Sequence, residues 1–160
     1  MVLRAEIPTD QGDVFALIQA AFGQPVEARL VDELRRTGDL VYSFVAQKDD
    51  QLLGHIGLSR MTAPVAVLGL APVSVLPAHQ KTGIGSALIT HAIDKARADG
   101  WQAIFVLGNP DYYGRFGFSV AAAAGFENTY AGPHFMALAL HPQALNSGFV
   151  VSYAAAFDQL

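Results

Sequence analysis

Two glycines separated by one residue lie where an apolar segment gives way to a helical pattern. Gly83 and Gly85 follow the strand-like segment Val65–Val75 and begin the helix-like segment Gly83–Ala98. Glycines let a ligand approach the backbone closely, and the unpaired N–H groups of the first helical turn then point at that ligand. A phosphate in this position is stabilised by up to about 2 kcal/mol. The spacing indicates an anion-binding loop, although a loop that only turns tightly would use the same glycines.

Two familiar nucleotide-binding loops do not fit this segment. A Walker loop requires glycine directly before its Lys-Thr pair, but Gln80 precedes Lys81 and Thr82 here. A dinucleotide-binding loop requires a small residue three positions after Gly85, where Leu88 stands. Neither of these nucleotide sites is therefore predicted.

The complete motif is more specific than its glycines. Val-x-Pro-x-x-Gln-x-x-Gly-Ile-Gly-x-x-Leu, from Val75 to Leu88, resembles the acetyl-CoA-binding motif of the GCN5-related N-acetyltransferases, the GNAT superfamily. A second motif, Tyr-x-x-x-Gly-Phe from Tyr113 to Phe118, is similar to the segment that follows the next strand in that family. The resemblance covers most of the chain and is strongest from Leu70 to Phe118. The segment from Leu107 to Phe118 is similar in particular to a group of GNAT proteins described only as predicted acetyltransferases.

The resemblance implies a set of CoA-binding residues. Backbone groups of Val73 and Val75 would pair with the pantetheine arm as if it were a neighbouring strand. Pro72 fits an edge or a bulge at this place because it donates no ladder hydrogen bond, although an ordinary edge strand would also accommodate it. The loop that would hold the pyrophosphate comprises Gln80, Lys81, Thr82, Gly83, Ile84, Gly85 and Ser86. Asn109 is a further candidate, but the family's asparagine usually stands further upstream of the tyrosine.

Tyr113 is the catalytic residue that the resemblance implies. When an amine attacks the thioester, the departing CoA sulfur gains negative charge, and a phenol beside it can donate a proton. A buried structural tyrosine next to Tyr112 is the alternative explanation. Many relatives supply a glutamate general base from the central strand, but Val65–Val75 contains neither an acid nor a histidine. No general base is therefore assigned.

The remaining acids and histidines form no pattern specific to a catalytic base or a metal. Glu27 and Glu33 fit a solvated helix face, and His55 fits the interior of a strand. The other histidines show no metal-ligand spacing with one another or with acids. No metal is predicted.

These motifs together predict an N-acetyltransferase that moves an acetyl group from acetyl-CoA to a primary amine by direct attack in a ternary complex. A non-catalytic acyl-CoA-binding sensor or interaction module would keep the same loop, but Tyr113 favours the enzyme. The acceptor pocket is expected between Phe22–Arg36 and Ala123–His134. The sequence does not distinguish a small-molecule amine from a protein amine as the acceptor, or acetyl transfer from transfer of a longer acyl chain. No serine has the Gly-x-Ser-x-Gly context of a hydrolase.

The elements that must position these motifs alternate between strands and helices. Strands are predicted at Val2–Ile7, Leu40–Gln47, Leu52–Met61, Val65–Val75, Ala103–Leu107, near Phe118, at Phe135–Leu140 and at Phe149–Tyr153. Helices are predicted from Val14 to Phe22, from Pro25 to Gly38, from Gly83 to Ala98 and from Asp111 to Arg115. The long helix between two strands is a βαβ crossover, which joins parallel strands. We therefore predict an α/β (α+β) fold, and the resemblance implies a GNAT-like mixed central sheet with splayed parallel strands and flanking helices.

Length and composition narrow the remaining possibilities. The 160 residues fit one domain, 1–160, and the absence of cysteine excludes disulfides, thiolate metal sites and a cysteine nucleophile. With 10 Lys and Arg against 14 Asp and Glu and no basic run, neither nucleic acid nor a membrane surface is an expected partner. We expect no signal peptide and a cytoplasmic protein. The apolar segment Phe149–Phe157 would suit a homodimer as well as a monomer core.

Overall fold

Runs of apolar residues separated by short turns build one mixed β-sheet with helices on both faces. The computed structural model describes all 160 residues. The strands are β1 Val2–Ala5, β2 Leu40–Lys48, β3 Gln51–Arg60, β4 Val67–Val75, β5 Ala103–Leu107 and β6 Phe135–Ala139. The helices are α1 Gln11–Phe22, α2 Val26–Thr37, α3 Ile84–Ala98, α4 Pro110–Tyr113 and α5 Val120–Ala123. Short 3-10 turns occupy residues 8–10, 77–79, 114–116 and 155–159.

The strands follow one another across the sheet in chain order, from β1 to β6. Every neighbouring pair is antiparallel except β4 and β5, which run parallel because α3 crosses over between them. The parallel pairing is short: it begins where Val67 pairs with Ala103 and ends where Gly69 pairs with Phe105. Beyond that point β5 continues to pair with β6 and leaves β4. The predicted fold class and the splayed parallel strands are therefore confirmed.

Pro72 lies in β4 just beyond the point where β5 separates. The register of β3 against β4 shifts there. Leu58 pairs with Leu70, but Ile56 pairs with Val73, so β4 carries one extra residue. A bulge of this kind tolerates proline, because the ladder hydrogen bond that proline cannot donate is already interrupted. The expectation that Pro72 marks a bulge beside the splayed strands is confirmed.

The helices cover opposite faces of the sheet. Side chains alternate across a strand, so Phe44 and Ala46 of β2 pack with α3, whereas Val45 packs with α1 and α2. The central strand β3 is buried from Leu52 to Ser59 because both of its faces are covered. No helix has both the length and the apolar character that crossing a bilayer requires.

One predicted strand, near Phe118, is wrong. This segment makes a single isolated bridge, between Ser119 and Ala137, and then begins α5. The Ser119 hydroxyl accepts a hydrogen bond from the Ala122 amide at 3.1 Å and so caps the helix. The capping serine therefore overrides the apolar pattern of the segment.

The predicted strand at Phe149–Tyr153 is also wrong. Its backbone makes only isolated bridges, from Val150 to Glu127 and from Ser152 to Thr62. The two bridges lead to different parts of the chain, so no continuous ladder forms. The apolar side chains of the segment are instead held by packing within a cluster that includes Phe105, Phe135 and Val151.

Candidate active site

The N–H and C=O groups of Val73 and Val75 face the gap between β4 and β5. The Leu76 amide donates to the Leu53 carbonyl at 2.9 Å, which makes Val75 and Gly54 a cross-strand pair without mutual hydrogen bonds. The same alternation applies two residues earlier, at Val73. Because β5 has turned away at this level, these backbone groups lack a strand on that side. This edge of β4 can therefore pair with an extended ligand.

The loop before α3 surrounds a cavity of about 400 Å³. It is lined by Val75, His79, Gln80, Lys81, Gly83, Ile84, Gly85, Ser86, Tyr112 and Arg115. Gly83 begins α3 with a φ of 91°, a left-handed conformation that a side chain would strain. The first N–H groups of a helix have no partner inside it, so the cavity offers donors and cations to an anion.

Gly85 is needed because of a neighbouring side chain and not because of its backbone angles. A Cβ at this position would lie 3.1 Å from the hydroxyl oxygen of Tyr112 and 3.8 Å from a methyl group of Val75. The wall of the cavity is therefore already in close contact with Tyr112, and a side chain at Gly85 would push either the tyrosine or the ligand away.

Arg115 is a cation at this cavity that the sequence analysis did not single out. Its Nη2 atom lies 3.5 Å from the Ser86 hydroxyl, and its guanidinium carbon lies 4.7 Å from the centre of the Tyr112 ring. Arg115 follows Ser86 by 29 residues, so only the fold shows their proximity. Together with Lys81 it places two positive charges at the cavity.

Two of the predicted CoA-binding side chains, Thr82 and Asn109, do not line this cavity. The Thr82 hydroxyl donates to the His79 carbonyl and fixes the loop. The Asn109 side chain accepts a hydrogen bond from the Asp111 amide at 2.9 Å and caps α4. Both side chains stabilise local turns beside the motifs.

Tyr113 lines a second cavity, of about 300 Å³, at the gap between β4 and β5, and Val73 lines it as well. The ring packs over Gly108, where a Cβ would lie 2.6 Å from it, and edge-to-face against Phe118. Burial raises the pKa of Tyr113 to about 12, and the Tyr112 phenol adds to this effect. The phenol is therefore protonated at neutral pH and can donate.

Distant parts of the chain also line this gap. Phe22, Glu27 and Leu30, from α1 and α2, line the Tyr113 cavity. A third cavity of about 380 Å³ adjoins it and is lined by Tyr130 and Tyr153. The two expected acceptor segments therefore both reach the gap. The structure adds residues 155–159, whose Phe157 lines both cavities and which the sequence analysis did not assign to the site.

Two of the polar groups identified from the sequence, His55 and Glu33, have structural partners. His55 is fully buried in β3, and its Nε2 atom lies 2.8 Å from the Ser43 hydroxyl. Burial lowers the pKa of His55 to about 3, with a smaller contribution from Arg35, so the imidazole is neutral. Glu33 pairs with Arg36 on the surface of α2. No three His, Cys, Asp or Glu side chains are grouped as a metal site would require.

Comparison with known proteins places this site in a family. Residues 12–118 match the acetyltransferase (GNAT) family. The chain is 35% identical over 130 residues to the uncharacterized N-acetyltransferase YhbS of Escherichia coli K12, covering 76% of this chain and 75% of YhbS. The crystal structure of Escherichia coli YhbS in complex with CoA has a TM-score of 0.92 at 30% identity, covering 98% of this chain and 91% of that chain.

A second solved structure has the same architecture. It is a GNAT family acetyltransferase from Brucella melitensis in complex with acetyl-CoA, 36% identical with a TM-score of 0.84. The match covers 98% of this chain and 97% of that chain. Because the family match, the sequence relatives and the fold agree, this chain belongs to the GNAT family of N-acetyltransferases.

Proposed function

We propose that this protein transfers the acetyl group of acetyl-CoA to a primary amine by direct attack in a ternary complex. The proposal rests on three features that follow one another along β4: a cavity for an anion at its end, a backbone edge without a neighbouring strand, and then Tyr113. This order matches a molecule with phosphates, an amide-containing arm and a terminal thioester. The CoA and acetyl-CoA held by the two solved relatives support the same donor.

In the proposed complex the pyrophosphate lies at the first turn of α3. The amides from Gln80 to Ser86 donate to its oxygens, and Lys81 and Arg115 balance its charge. Thr82 and Asn109 act indirectly, through the turns that they stabilise. The pantetheine amides pair with the backbone N–H groups of Val73 and Val75 and with the Val73 carbonyl, whereas the Val75 carbonyl accepts a hydrogen bond from the Gln80 side chain at 3.1 Å.

In the proposed reaction the amine nitrogen attacks the carbonyl carbon of the thioester with its lone pair. The carbon–sulfur bond then breaks, and the phenol of Tyr113 donates its proton to the departing sulfur. The nitrogen loses one proton, which returns through water to the tyrosine oxygen. The products are an amide and CoA thiol. Direct attack needs no acyl-enzyme, which agrees with a chain that contains no cysteine.

The proposal assigns all 160 residues to one catalytic domain. Helices α1 and α2 and residues 155–159 supply walls to the same gap that β4 and β5 open, so no part of the site belongs to a separate unit. The first residue of the chain that lines this gap is Phe22, and the last is Leu160.

The experiment that tests the proposal is a two-step assay on the purified protein. Calorimetry with CoA measures donor binding, and a panel of amines with acetyl-CoA is then followed by release of free thiol and by the mass of the product. We expect binding and turnover of at least one amine. Absence of CoA binding would contradict the donor assignment. Binding without turnover of any amine would favour a non-catalytic acyl-CoA sensor.

A further inference from the structure

We propose that the acceptor is a monoamine with an apolar body, and that Glu27 binds its ammonium group. The inference rests on the acetyl transfer proposed above and concerns the side of the gap opposite the CoA loop. It is carried by the chemistry of two adjoining cavities that share Leu70, Ala71, Leu107, Phe157 and Leu160.

The larger of these cavities is lined by apolar side chains and by two tyrosines. Its volume is about 380 Å³, within the range of roughly 300–1,000 Å³ that is typical of small-molecule sites. The lining residues are Leu70, Ala71, Leu107, Tyr130, Tyr153, Phe157 and Leu160. The Tyr153 hydroxyl is buried without a hydrogen-bond partner. A ligand with many hydroxyl or ammonium groups would leave them unpaired against these walls.

Several of the apolar side chains at this site are exposed to solvent. Leu107 is 46% exposed, Phe22 43% and Tyr130 40%. Large apolar side chains grouped around a cavity mark a surface that binds an apolar ligand, whereas single exposed ones need no explanation. The grouping therefore indicates that an apolar ligand covers these residues.

Glu27 is the single charged side chain among the residues that line the two cavities. It lies half-buried in the first turn of α2, and its carboxylate accepts only from the Gln24 side chain, at 2.9 Å. Other carboxylates of this region have cations, such as Glu6 with Arg35 and Glu33 with Arg36, but Glu27 forms no salt bridge.

An unpaired carboxylate at the edge of an apolar cavity fits a ligand with one positive charge. The ammonium of the acceptor would supply the missing cation. It would lose one proton to water before the attack, and the neutral amine would then react with the thioester, which is proposed to lie beside Tyr113 in the same cavity. One carboxylate cannot balance a polyamine or an aminoglycoside, whose further charges would face apolar walls. A purely structural role for Glu27, at the positive end of the α2 dipole, would affect stability and not the amine.

The test compares acceptors of different chemistry with acetyl-CoA as donor. We expect 2-phenylethylamine to have a kcat/KM at least about 10-fold above that of spermidine or kanamycin. Their additional positive charges would lie against the cavity without a carboxylate to pair with. Preference for either polycation would overturn the proposal. A higher kcat/KM with hexanoyl-CoA than with acetyl-CoA, shifted towards acetyl-CoA by Leu107→Ser, would also overturn it, because the apolar cavity would then hold the acyl chain.

Variants test the two parts of the proposed site. Glu27→Gln should raise KM for 2-phenylethylamine about 10-fold and leave CoA affinity and melting temperature unchanged, whereas Glu33→Gln, on the same helix but paired with Arg36, should change neither KM nor CoA affinity. Tyr130→Ser should raise KM for 2-phenylethylamine more than for propylamine. A lower melting temperature with unchanged KM in Glu27→Gln would assign Glu27 a structural role and contradict the proposal.

A binding measurement separates this inference from the proposed acetyl transfer. Calorimetry of 2-phenylethylamine with CoA-saturated protein does not require turnover. Binding that weakens in Glu27→Gln would support the acceptor site even if no acetyl transfer occurred. Absence of binding by a protein that still binds CoA would overturn the acceptor site and leave the donor assignment intact.

Discussion

The guanidinium of Arg115 lies over the ring of Tyr112, 4.7 Å from its centre, and both side chains line the cavity at the start of α3. Stacking restricts the arginine before a ligand arrives, so less conformational entropy is lost when it contacts a phosphate. Lys81 has the same charge, and a lysine ammonium carries no planar group that could stack in this way.

Arg115→Ala should therefore weaken CoA binding more than Lys81→Ala. We expect a loss of about 10-fold for Arg115→Ala, typical of a hydrogen bond to a charged group, and a loss of about 5-fold or less for the lysine variant. Calorimetry at low and high salt measures both losses, and both should shrink as salt rises. A larger loss in Lys81→Ala would contradict the assignment.

Gly85→Ala should reduce CoA affinity by at least about 10-fold without unfolding the protein, because the added methyl would lie 3.1 Å from the Tyr112 hydroxyl. Gly12→Ala is the matched control, since a Cβ there meets nothing within 4 Å and alanine favours helix α1. The double variant Gly85→Ala with Tyr112→Phe removes the opposing oxygen and should regain part of the affinity. Unchanged affinity in the folded single variant would show that the ligand does not approach this wall.

Stability should depend on pH through His55, whose pKa burial lowers to about 3. In the unfolded chain His55 is protonated below about pH 6.5, whereas in the folded protein it is protonated only near pH 3. Stability is therefore complete above pH 6.5 and falls with decreasing pH, by up to about 1.4 kcal/mol per unit. Below about pH 4 the loss of the Asp10–Arg4 pair adds to it, because the Arg4 guanidinium lowers the pKa of Asp10.

Urea denaturation from pH 7.5 to 4.5 measures this slope. His55→Gln should flatten it, whereas His134→Gln, at an exposed position, should leave it unchanged. Equal slopes in the wild type and in His55→Gln would show that other groups cause the acid sensitivity.

The parts of the fold that the sequence predicts are those coded by local patterns. The strand, helix and strand from Val67 to Leu107 follow one another with clear periodicity, and the parallel pair follows from the crossover between them. The wrong strand at Phe149–Tyr153 shows the limit of this reasoning, because the same apolar pattern serves a segment that packs without a ladder.

The site shows the same division between local and distant information. The loop from Gln80 to Ser86 is contiguous, so its motif is visible in the sequence. Arg115, Glu27 and Phe157 come from separate elements, and only the packing of those elements brings each of them to the site. Their types carry no pattern of their own, since an exposed arginine and a helical glutamate are common on any protein surface.

The most direct measurement of the proposed chemistry is kcat of Tyr113→Phe on an identified amine with saturating acetyl-CoA. Removal of the hydroxyl keeps the ring and its packing over Gly108, so CoA affinity and melting temperature should be unchanged. We expect kcat to fall by about 10- to 1,000-fold. Tyr112→Phe should keep the wild-type kcat under the same conditions, because its hydroxyl lies at the cavity before α3 and not beside Tyr113 at the gap. Full turnover by Tyr113→Phe, with chemistry limiting the rate, would show that Tyr113 only packs and that another group protonates the departing sulfur.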